Sequence, residues 1–142
     1  MNLPISLLAL LATGLLAPPA GLDAIDEAQP RLAISDVDQG RDRSVVVGNA
    51  AVLGGRLAVV GNCVVVKQES GDYVLPIFPS GIATWDGRAR QLRYFNDTYA
   101  VGDPVALGGG FADEAMIAAL RGSDDVDIPA DCPTSEVWVA IG

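Results

Sequence analysis

The chain has 142 residues with 9 Lys plus Arg against 18 Asp plus Glu, a formal net charge of -9, and no histidine. That balance argues against a nucleic-acid partner, which needs clustered cations to neutralise phosphates. The lack of His removes Ser-His and Cys-His catalysis and every His-ligated metal. Half of the residues are hydrophobic, enough for the core of one ordinary domain.

Met1 to Leu22 carries no charged side chain, and Leu7 to Ala17 is an apolar run of signal-peptide length that Pro18 and Pro19 end. A spanning helix needs about 20 apolar residues. Residues 1–24 are therefore expected to be a signal peptide cut near Ala20 or Ala24, leaving no transmembrane segment in the mature chain, although its start carries no Lys or Arg. An uncleaved anchor is the alternative. Residues 25–43 are acidic and are expected to form a flexible lead-in, and 44–142 a single domain.

Beyond residue 44 the texture becomes short β-branched runs separated by turn residues. Strands are expected at Ser44–Val47, Arg56–Val60, Cys63–Lys67, Tyr73–Phe78, Gln91–Phe95, Val105–Leu107 and Val137–Ile141. Gly61-Asn62 fits a two-residue hairpin, and a single bulged strand across it is the alternative. Such spacing predicts a mainly β protein: a small antiparallel β-barrel, OB-like, with one short helix near the C-terminus. The helix is expected over Asp113–Arg121, with acids first, Arg121 last and Gly122 just beyond. Its Met116, Ile117 and Leu120 would cap one mouth of the barrel. Gly108-Gly109-Gly110 is expected to be a tight turn ahead of it, since no Lys follows to make a phosphate loop.

Cys63 and Cys132 are the two cysteines. In an exported chain they are expected to pair, closing a long loop and contributing about 4 kcal/mol. Two free buried thiols are the alternative.

Asp36, Asp38, Gly40 and Asp42 space out like part of a calcium loop, but Val47 stands where an EF-hand needs Glu. Asp124, Asp125, Asp127 and Asp131 form a second acidic cluster, interrupted by Pro129. Both are expected to be solvated loops, and no metal or other cofactor is expected. Arg88, Arg90 and Arg93 form a basic patch near Trp85, Tyr94 and Phe95. Arginines beside aromatics can stack on and hydrogen-bond a ligand, so Trp85, Arg88, Arg90 and Tyr94 are the candidate binding residues, with Arg88 and Arg90 on one strand face. The plainer reading puts Trp85 and Phe95 in the core and pairs the arginines with nearby acids. No catalytic residue stands out: the seven serines include no G-x-S-x-G, and the glutamates show no paired spacing. Asn96-Asp97-Thr98 is a formal glycosylation sequon, useful in a eukaryotic host.

Cys63, Leu75-Pro76-Ile77-Phe78-Pro79-Ser80-Gly81, Trp85-Asp86-Gly87, Val101 through Gly110 and Cys132-Pro133 form an ordered set. It resembles a group of small uncharacterised secreted or envelope-associated bacterial proteins with a cysteine pair and a G-D-x-V-x-L-G-G-G segment. The resemblance covers residues 53–142 and implies export, a small β fold and a disulfide, but no activity. The expected function is a non-catalytic binding or accessory module of the envelope, secreted or periplasmic, whose partner is an envelope protein or a glycan. A structural or stress-protective protein and a carboxylate-only polysaccharide hydrolase are the alternatives.

Overall fold

In a computed structural model of the chain, residues 29–36 and 51–141 are described, so the signal-peptide segment, most of the first acidic cluster and the expected strand Ser44–Val47 lie outside them. The fold is mainly β with one short helix. Five strands close a barrel: β2 (Ala51–Val60), β3 (Cys63–Lys67), β4 (Tyr73–Pro79), β8 (Pro104–Phe111) and β10 (Val137–Ala140). β2 pairs with β3, β3 with β4, β4 with β10, β10 with β8, and β8 again with β2. Only β4–β10 in this ring is parallel. Numbered along the chain, the ring runs 1-2-3-5-4-1, the connectivity of an OB-type barrel.

β2 and β3 are separate strands joined at Gly61-Asn62, with Val60 opposite Cys63 and Gly61 at φ 57°. Glycine takes that positive φ without steric cost, which settles the hairpin against the bulged strand. Alternation along the strands sorts two cores. Leu53, Leu57, Val64, Val66, Val74, Phe78, Leu107 and Trp138 fill the barrel interior. Cys63, Val65, Leu75, Ile77 and Val137 point outward into a second cluster. β3 and β4 are thus buried on both faces, which is why Cys-Val-Val-Val and Val-Leu-Pro-Ile-Phe read as continuous apolar runs.

Helix α1 (Glu114–Arg121) is capped by Asp113, whose Oδ1 accepts the Met116 N–H at 2.7 Å, while the Gly122 N–H closes its other end onto the Ala118 carbonyl. It does not cap a barrel mouth. Ile117 and Leu120 pack on the outer cluster, over the face of β3, β4 and β10. The Cys63–Cys132 disulfide, with Cα atoms 5.4 Å apart, fixes the segment after the helix to that same face. One mouth is closed instead by a separate three-stranded sheet, β5 (Ala83–Asp86), β6 (Gln91–Tyr94) and β7 (Asp97–Ala100). Ala83, Leu92 and Tyr94 enter the interior core, and the Tyr94 ring meets Phe78 edge-on at 5.3 Å.

Two further expectations differ from the structure. Gly108-Gly109-Gly110 is not a turn but the inner run of β8. Within 25–43, residues 29–36 belong to the domain: β1 (Ala33–Ser35) pairs in parallel with β4 and, on its other side, with β9 (Val126–Asp127). Leu32 and Ala33 are buried, so this short apolar run between Pro30 and Asp36 is held by packing despite its acidic surroundings.

A candidate binding groove beside Trp85

The structure separates the four residues proposed as a binding surface. Arg88 and Arg90 lie in the turn between β5 and β6, not on a strand, so alternation does not place them on one face. Asp86 builds that turn: its Oδ1 accepts the N–H groups of Arg88 at 3.0 Å and Ala89 at 3.1 Å. Tyr94 is buried at 6% exposure, and its hydroxyl donates to the Ile141 carbonyl. Burial, and secondarily Tyr99, raises its pKa above the usual 10.0. Tyr94 thus holds the capping sheet to the end of β10 and presents no face to a ligand. Phe95 is not core: it is 52% exposed, with its backbone at φ 55° and its ring edge-on to Tyr94.

Trp85 and Arg88 do come together. Both line an open groove of about 940 Å³ bounded on one side by β5 and its turn and on the other by Pro30, Leu32 and Ile34. Trp85 packs partly against the interior core, and its indole Nε1 is buried without a hydrogen-bond partner. A buried N–H left unpaired costs about 1–3 kcal/mol, which a small shift of the indole toward an acceptor would recover. The absence of a side chain at Gly87 matters here: a Cβ would come within 2.9 Å of the Gln29 amide oxygen and 3.9 Å of the Trp85 Nε1.

The charges divide into committed and free. Arg31 and Asp127 face each other across 3.4 Å, and both are exposed. Asp86 is held by backbone amides. Among the described residues, the side chains of Arg88, Arg90 and Arg93 form no ion pair or hydrogen bond, contrary to the pairing with neighbouring acids that the charge balance suggests. By contrast, the groove of about 820 Å³ over Gly54 and Gly55 has its cations engaged. There Arg56 donates to the Gly102 carbonyl at 2.9 Å and Lys67 sits 5.9 Å over the Tyr73 ring.

Among the described residues no group of three or more acidic or cysteine side chains converges as metal ligands, so Asp124, Asp125, Asp127 and Asp131 do not form one centre. No helix of the described residues is long and apolar enough to cross a membrane. The groove wall formed by Leu32 and Ile34 was not singled out in the sequence, although their i, i+2 spacing after Pro30 is a strand signal. Comparisons with protein-family models, with curated proteins and with solved structures found no match.

Proposed function

We propose that the protein is an exported, non-catalytic binding module of the cell envelope, and that its ligand site is the groove between β5 and residues 30–34. The observation that carries this reading is the conjunction of Trp85, with its buried unpaired indole N–H, and Arg88, with its uncommitted guanidinium, in one groove. A mainly apolar concavity with a few convergent polar groups is the usual form of a ligand site. The face of β3 and β4 through which OB-type barrels hold oligomers is covered here by α1 and the Cys132 segment, so the ligand site is sought elsewhere on the barrel.

Export is supported by the disulfide, which suits an oxidising compartment, and by the apolar segment before Pro18. A non-catalytic role is supported by the absence of histidine and by the commitments of the groove carboxylates, Asp86 to backbone amides and Asp127 to Arg31.

Retention of the full chain on sedimented envelope material tests the reading. Arg88→Glu, an exposed change, and Trp85→Ala should each lower retention about tenfold or more, with folding checked by circular dichroism. Equal retention of folded Arg88→Glu and wild-type protein would refute the assignment.

A further inference from the structure

β5 is an edge strand: in its sheet the order is β5-β6-β7, so among the described residues one of its sides has no strand partner. The polarity of that side follows from the register. The Phe95 N–H donates to the Ile82 carbonyl, and pairs in an antiparallel ladder alternate between bonded and non-bonded. Ile82, Thr84 and Asp86 therefore turn their backbone groups toward β6. Ala83 and Trp85 turn theirs the other way. β5 lines the groove and β6 and β7 do not, so this free side is the groove side.

The opposite edge of the same sheet is treated differently. On β7 the outward N–H of Ala100 is taken by the Asp103 Oδ2 at 2.8 Å. No side chain does the same for Ala83 or Trp85, and no Lys or Pro interrupts β5. β5 is only four residues long, itself one way in which edges are blunted, and Ala83 is 6% exposed, so its outward groups are approached only through the groove that it lines.

We propose that the groove receives an extended peptide segment of a partner protein, added as a further strand to β5, with a carboxylate of that segment at Arg88. This rests on the groove being the ligand site. Ala83 and Trp85 offer N–H and C=O groups spaced about 6.7 Å apart, a pattern that another extended backbone matches. The facing wall of Pro30, Leu32 and Ile34 takes the apolar side chains at alternate positions of the segment. At the turn end, Arg88 supplies the free cation that fixes a carboxylate and with it the direction of the strand.

The test uses the folded, disulfide-bonded full chain as bait for a displayed library of random twelve-residue peptides. Enriched peptides are then added to nitrogen-15-labelled protein and amide exchange is followed by NMR. The Ala83 and Trp85 amides should slow about tenfold or more, while those of Thr84 and Asp86, already in the ladder, stay as they are. Ala83→Pro removes an outward donor and, provided circular dichroism shows it folded since Ala83 packs in the core, should weaken binding about tenfold, as should the exposed change Arg88→Glu. Failure to enrich any peptide, or binding that leaves the Ala83 and Trp85 amides exchanging freely, would overturn the proposal. A dimer of the chain alone with those amides already protected would overturn it too. Envelope retention that still depends on Arg88 in either case would show that the groove binds a ligand other than an added strand.

Discussion

The indole of Trp138 lies against the backbone of Gly109, so closely that a Cβ there would come within 2.7 Å of its Nε1. Trp138 is 1% exposed, and its N–H donates to the Gly108 carbonyl at 3.3 Å. The glycine run of β8 is thus the space in the barrel wall that the largest interior side chain occupies, and Gly109 also sits at φ 150°, where other residues are strained. Gly109→Ala should destabilise the fold by about 3 kcal/mol or more. Gly54→Ala is the control, because nothing lies within 4 Å of a Cβ there. It should change stability by less than about 1 kcal/mol. Urea denaturation of both variants checks the contrast.

The Cys63–Cys132 bridge spans 69 residues and holds the chain after α1 on the outer face of β3 and β4. Replacing both cysteines with alanine should cost about 4 kcal/mol, measured by chemical denaturation. Local exchange should rise first in α1, which has no buried residue of its own, while the interior core stays protected.

Stability should fall in alkali partly through two tyrosines. Burial, and secondarily Tyr99, raises the Tyr94 pKa above 10.0, and burial followed by Asp97 raises that of Tyr99. As pH climbs past the unfolded value the unfolded chain gives up these protons first, so the contribution is whole below about pH 10 and is lost as pH rises through the folded values. The melting temperature of wild type should therefore drop more steeply than that of Tyr94→Phe between about pH 9 and about pH 12.

The barrel was legible where alternation and turn chemistry agreed. Gly61-Asn62 marked the hairpin, and Asp113 with Arg121 and Gly122 bounded the helix. The short strands were not legible, for a physical reason. β5 (Ala-Thr-Trp-Asp) and β7 (Asp-Thr-Tyr-Ala) are half polar and four residues long, and they exist because β6 gives both a template. β1 is three residues held by β4 and β9. The candidate site was half legible. Trp85 and Arg88 were identified from the aromatic and basic composition of 85–95, but Tyr94 faces inward, and the wall at Leu32 and Ile34 comes from a segment about fifty residues earlier. The parallel pairing of β1 with β4, which leads directly into β5, brings it alongside.

The account depends most on Trp85, and the protein carries its own control. Of the two indoles, that of Trp138 is already bonded to Gly108, whereas that of Trp85 is unpaired. Nitrogen-15 NMR of the two indole N–H groups, recorded as solubilised envelope material is added, reports on both at once. The account predicts a downfield shift of the Trp85 indole proton with Trp138 unmoved. A Trp85 resonance that stays in place while the protein binds would contradict it.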